Sequence, residues 1–236
     1  NLLINSTSSG LTENILTSFP LYPFSFNVSN DLYATLAEVP SYIKAKSFPN
    51  IENFCKGGKK VILAGSSWLA DEKIIEQAIK NLDIKLIIAP HVIGDTHIKE
   101  IQELFPNAIL YSELTENKKE SDVLIINCIG ILSNLYQYCD IAYIGGGFGV
   151  GIHNTLEAAT FGKPICFGTN YHKFQEAVDL INLKAAYSIN NKEELEQVFS
   201  LLLYNKENYN KSASAAKNYV EEKTGACKKI IEHLKN

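Results

Sequence analysis

The chain has 236 residues, 46% hydrophobic and 20% charged, which is enough apolar content to bury a sizeable core and excludes disorder by composition. Its formal net charge of −4 argues against a general binder of nucleic acid or anionic membranes. No apolar run approaches the ~20 residues that span a bilayer.

Two absences stand out: there is no Met, and all 22 basic residues are Lys. Without Met or a basic, apolar leader at Asn1, the sequence is expected to be a fragment or a trimmed chain. Without Arg, an anion has to be held by Lys, His, backbone N–H groups or helix ends.

Residues 1–30 show little periodicity, and 31–56 suggest one weak helix (33–37 and 40–46) and a loop. The stretch 1–56 is therefore expected to be a lead-in or remnant of an upstream part, with the folded domain over 57–236. Gly57-Gly58 punctuates the boundary. From there apolar runs alternate with stretches of helical period. Strands are expected at 60–64, 84–89, 108–111, 122–127, 141–144 and 164–167, with a short edge strand at 186–189. Helices are expected at 71–82, 96–104, 131–138, 155–161, 174–183, 192–204, 206–222 and 225–235, and a charged loop at 113–121. The alternation implies an α/β fold: a Rossmann-like, doubly wound parallel sheet of about six strands. Right-handed crossovers put every strand's carboxyl end on one side, where such sheets bind ligands.

The strand ends carry the chemistry. The fifth strand runs into Gly145, Gly146, Gly147, Phe148, Gly149, Val150 and Gly151, followed by Ile152, His153 and Asn154. Glycines at that density let the backbone bend sharply and approach a ligand. A helix opening near Asn154 would offer free N–H groups to a phosphate. The sequence lacks the G-K-[ST] of a Walker loop, and a plain glycine-rich turn or a plain N-cap at Asn154 is the bland alternative. Glu157, one turn on, can accept hydrogen bonds from two ribose hydroxyls. The first strand ends in Gly65-Ser66-Ser67-Trp68 before acidic Asp71-Glu72, which suits either phosphate or sugar binding or routine capping. The second strand ends in Pro90-His91, the fourth in Asn127-Cys128-Ile129-Gly130, and the sixth in Gly168-Thr169-Asn170-Tyr171-His172-Lys173. The five cysteines, at 55, 128, 139, 166 and 227, form no C-x-x-C pair and read as reduced, packed thiols. No cofactor is expected. His153 and Glu157 have metal-compatible i, i+4 spacing but no third ligand, so no metal is expected.

Taken together, residues 145–159 and 167–177, with Gly65-Ser66-Ser67-Trp68, Asp71-Glu72 and Ala89-Pro90-His91 in the same order, resemble the signature of 3-deoxy-D-manno-octulosonic acid (Kdo) transferases, with a Bacteroidetes-like flavour. The resemblance is good over roughly 57–185. It implies the C-terminal, donor-binding half of a GT-B glycosyltransferase, which moves Kdo from CMP-Kdo to a lipid A precursor at the cytoplasmic face of the inner membrane. By that resemblance the donor cleft is lined by Gly65, Ser66, Ser67, His91, Asn127, Gly130, Gly146, Gly147, Gly149, Gly151, His153, Asn154, Glu157, Asn170 and Lys173. Two positions depart from the family: Asn127 stands where an Asp is usual, and Thr169 where a Pro is usual. The family's general base is a Glu of the N-terminal acceptor domain, and Glu13 does not match its motif, so the base is not identified and this chain alone is expected to be inactive. A GT-B transferase using a UDP-sugar, and a non-catalytic remnant or interaction module, are the competing readings.

Overall fold

The computed structural model describes residues 45–115 and 121–223. The expected helices at 33–37 and 225–235, most of that at 40–46 and much of the charged loop lie outside them.

The core of the fold is one sheet of seven strands: β1 (Lys60–Ser67), β2 (Ile84–Pro90), β3 (Ile109–Leu110), β4 (Val123–Ile125), β5 (Ile141–Ile144), β6 (Ile165–Phe167) and β7 (Ala186–Ser188). Their order is β3-β4-β2-β1-β5-β6-β7, and every pairing is parallel. Strands that are apolar along their whole length, such as Val61-Ile62-Leu63-Ala64, need cover on both faces. They obtain it because successive side chains point to opposite sides.

Val61, Leu63, Ile87, Leu124, Ala142, Ile144, Ile165 and Phe167 project to one side. There they meet α1 (Pro49–Cys55), α4 (Leu132–Leu135), α5 (Leu156–Thr160), α6 (Gln175–Asn182) and α8 (Lys206–Lys223). Ile62, Ala64, Leu86, Ile88, Ile125, Tyr143 and Cys166 project to the other, under α2 (Leu69–Ala78), α3 (Asp95–Leu104) and α7 (Lys192–Tyr204). Burying each large aliphatic side chain contributes about 1.5–3 kcal/mol, which is why this two-sided pattern fixes the register.

Three local readings change. Residues 49–55, expected as loop, form α1, with Pro49 at its first turn and Ile51 and Phe54 buried. The first strand runs three residues beyond 64, to Ser67, through an irregularity between Gly65 and Ser67. The helix expected over 71–82 starts earlier and stops at Ala78. The positive φ angles of Gly57 (109°) and Gly58 (84°) explain why the chain breaks at that pair. No helix of the described residues is long and apolar enough to cross a membrane.

Candidate active site at the switch point of the sheet

The chain leaves β1 toward β2 on one side and returns through β5 on the other, so the sheet's topological switch point lies between β1 and β5. Doubly wound sheets open a crevice there, beyond the strands' carboxyl ends. The segments that fill it are the Gly65–Trp68 turn and the 145–154 loop.

They fit because they are almost all backbone. A Cβ on Gly145 would lie 2.3 Å from the Ser66 carbonyl oxygen, and one on Gly147 would lie 2.5 Å from the Gly168 nitrogen. Ser66 itself adopts φ 52°, a strained conformation for a residue with a side chain. The loop closes on itself through Gly149 N–H and Gly151 N–H, both donating to the Gly146 carbonyl at 3.0 Å. Asn170 clamps it from the β6 side: its N–H donates to Gly147 O at 2.8 Å and its Nδ2 to Gly149 O at 2.7 Å. Gly149 and Gly130 face open space.

The loop's main anchor is Asp71, in the first turn of α2. Its buried carboxylate accepts from Gly146 N–H (2.9 Å), Trp68 N–H (3.0 Å) and the Tyr143 hydroxyl (2.7 Å). Burial pushes this carboxyl's pKa up, against the pull of those three donors. Beside it Glu72 is fully buried; its Oε1 accepts from Ser67 Oγ at 2.8 Å and meets His97 Nε2 at 3.1 Å, while Oε2 has no partner among the described residues. Burial raises its pKa too, with Ser67 and His97 opposing.

Three rings cluster at these strand ends. His91 stacks on Trp68 (centroids 4.6 Å, planes 24° apart) and on His153 (4.4 Å, 25°). Trp68 Nε1–H donates to His153 Nε2 at 3.3 Å. That bond puts Trp68 and His153 side by side, so His91 lies flat across both rather than between them. Because His153 Nε2 accepts, its proton sits on Nδ1. Burial, then His91, lowers the His153 pKa.

Behind the loop, α5 spans only Leu156–Thr160. The helix end expected to serve a phosphate is therefore one short turn with little accumulated dipole. Asn154 closes that turn, accepting from Leu156 N–H at 2.9 Å and donating Nδ2 to Glu157 Oε1 at 3.3 Å. Glu157 Oε2 has no partner among the described residues, and burial raises the carboxyl's pKa despite Asn154. The backbone N–H groups of Phe148, Val150, Asn154 and Thr155 also take no partner among the described residues.

Of the residues singled out from sequence, Gly65, Ser66, Ser67, His91, Gly146, Gly147, Gly149, Gly151, His153, Asn154, Glu157 and Asn170 belong to this set of contacting segments. Ser67 faces inward to Glu72. Asn127 follows β4, two strands from β1. Both ends of its amide are engaged by Ser112, with Oδ1 accepting from Ser112 N–H at 3.0 Å and Nδ2 donating to Ser112 Oγ at 2.8 Å. Lys173 is exposed on the β6 side. The sequence reading gave no role to Asp71, Trp68 or Tyr143. The adjacent acidic pair at 71–72 was the only signal, and it does not say that one of the two reaches back to a loop 75 residues away. Among the described residues no three His, Cys, Asp or Glu side chains cluster as metal ligands.

No protein-family model matches the chain. A 3-deoxy-D-manno-octulosonic acid transferase from Rickettsia bellii is 32% identical over 153 residues, 61% of this chain and 37% of the relative. Its counterpart from Aquifex aeolicus is 29% identical over 169 residues, 65% of this chain and 46% of the relative. The chain thus spans between a third and a half of the length of these relatives. Among solved structures, the C-terminal CMP-Kdo binding domain of WaaA from Acinetobacter baumannii superposes with TM-score 0.63 at 19% identity, covering 71% of this chain and 91% of that domain. In sequence the chain is homologous to Kdo transferases, and it has the fold of the C-terminal CMP-Kdo binding domain of WaaA. The Bacteroidetes-like flavour finds no support in these relatives.

Proposed function

We propose that this homologue of the Kdo transferase C-terminal domain is the donor-binding half of an enzyme that transfers Kdo from CMP-Kdo to a lipid A precursor. The observation that carries the reading is the meeting of the Gly65–Trp68 turn and the 145–154 loop beyond β1 and β5. The 145–154 loop, held by Asp71 and Asn170, offers unpartnered N–H groups and an open glycine there, beside a carboxylate one turn on.

In this reading Glu157 accepts the ribose hydroxyls through its free oxygen. The N–H groups of Phe148 and Val150 stabilise charge on the departing CMP phosphate, with Lys173 at the rim. His91, His153 and Ser66 border the sugar or phosphate. Gly130 lines the outer edge, while Asn127 has a structural part, bracing Ser112. The general base that deprotonates the lipid A hydroxyl belongs to the acceptor domain, and the full-length enzyme works at the cytoplasmic face of the inner membrane. The donor side alone supplies binding, so these residues by themselves are expected to bind CMP without turnover.

The test is calorimetric titration of this chain with CMP, with UMP and UDP as controls. Saturable binding of CMP, weakened in Glu157→Ala, is expected. Preference for UDP would replace the reading by a transferase that uses a UDP-sugar. Absence of binding by every nucleotide at millimolar concentration, even with the acceptor domain supplied, would make the fold a non-catalytic remnant.

A further inference from the structure

The flat stack of His91 on the Trp68–His153 pair has a consequence for how an anion is held. Carboxylates pair with His97, through Glu72 and Glu100, and with no other described histidine. His153 is kept neutral by geometry: adding a proton at Nε2 would set two donors, Nε2–H and Trp68 Nε1–H, against each other. His91 has no such constraint. Its ring lies against an indole face, where a cation is favoured, and it is exposed to solvent. Its backbone N–H donates to Ser67 O at 2.9 Å, which fixes the main chain from which the ring projects.

Acidic groups on the neighbouring elements are already engaged or lie apart from His91. On the β1–α2 turn, Asp71 is occupied by three donors and Glu72 by Ser67 and His97. On the 145–157 side stand His153 and Glu157, the latter tied to Asn154. Beyond β2 lie Asp95, at the start of α3, and His97 with Glu100. None of them supplies His91 with a counter-ion.

We infer that His91 is the proton-linked cation of this site: an oxyanion of the donor, phosphate or sugar carboxylate, draws a proton onto His91 as it enters beside the Trp68–His153 pair. The inference rests on the donor-site reading above and adds its regulation by pH. In a chain without Arg, it supplies a positive charge facing the bound anion. His153 contributes its Nδ1–H as a neutral donor.

The experiment is calorimetry of the whole chain at pH 7.5 in buffers of different ionisation enthalpy, with CMP, free Kdo and cytidine as probes. That pH lies above the second ionisation of the CMP phosphate at about 6. The expected result is proton uptake on CMP or Kdo binding and none with cytidine. Uptake with CMP alone puts the phosphate on His91, and uptake with Kdo alone puts the carboxylate there. As pH falls toward 6.5, affinity should rise, by at most about tenfold per pH unit for one proton. His91→Gln should bind more weakly and take up no proton. His91→Lys, which carries a fixed charge, should bind with an affinity independent of pH over that range. CMP and Kdo binding without uptake, uptake with cytidine, or uptake retained in His91→Gln would overturn the inference while leaving the nucleotide reading intact. Absence of CMP binding by the wild-type chain at every pH would remove the donor reading and this inference together.

Discussion

Asp71 and Gly146, 75 residues apart in sequence, are joined by a 2.9 Å hydrogen bond from the glycine N–H to a buried carboxylate. The same carboxylate holds Trp68 N–H and the Tyr143 hydroxyl, so one side chain ties together the turn after β1, the strand β5 and the loop that follows it. In Asp71→Asn one oxygen becomes an NH2 that cannot accept, so either the Tyr143 hydroxyl or the Gly146 and Trp68 N–H groups lose their acceptor. A loss of about 1–3 kcal/mol is expected, partly offset by removal of a buried charge. Thermal denaturation should show a lower Tm, and CMP titration a weaker affinity because the loop loses its anchor.

Glu72 gives a pH signature. Burial raises its folded-state pKa above the unfolded value. The folded state therefore binds the proton more tightly, and stability from this group is greatest below the unfolded pKa and declines as pH rises through the folded one. In Glu72→Gln that decline is absent. The Tm of the variant relative to wild type should rise with pH, starting near the ordinary glutamate value of about 4.3 and levelling off once wild-type Glu72 is ionised. A difference that stays flat from pH 4 to 8 would mean the carboxyl is not penalised by burial.

The glycines of the loop separate packing from ligand contact. A Cβ on Gly147 would collide with Gly168 backbone at 2.5 Å, whereas one on Gly149 meets nothing within 4 Å. Gly147→Ala should lose about 1–3 kcal/mol or more by forcing two backbones apart. Gly149→Ala should melt like wild type. If its CMP affinity nonetheless falls, the open side of Gly149 is where the nucleotide approaches.

Asn127 and Glu157 should behave oppositely. The Asn127 amide bonds twice to Ser112. Asn127→Ala should cost about 1–2 kcal/mol of stability with little change in CMP affinity, and Asn127→Asp, which can still accept both Ser112 donors, should be milder. Glu157→Ala removes a half-buried carboxylate with one free oxygen and should reduce CMP affinity about tenfold or more, with a small change in Tm. Reversal of this pattern in paired calorimetry and melting experiments would exchange the two roles.

Much of the fold was legible in sequence because its signals are local. Apolar runs of strand length, separated by stretches of helical period, specify strand and helix one element at a time, and their alternation specifies a parallel sheet. Glycines after β5 announce a turn wherever it lies in space. The stretch 49–55 carries too little periodicity in seven residues to announce a helix; its helix is held by Ile51 and Phe54 packing on the sheet. The short helix α5 is legible as well, expected over 155–161 and found at Leu156–Thr160.

The sequence by itself determined the alternating α/β layout, the glycine-rich strand end and the resemblance to Kdo transferases, because each rests on neighbours along the chain. Only the tertiary structure decided which strand ends meet: β1 with β5 at the switch point, Asp71 under Gly146, Asn127 turned to Ser112, and His91 laid across Trp68 and His153. Those pairings depend on strand order and on which way a buried side chain points. Both are set by how the two faces of the sheet pack, and so do not show in residue spacing.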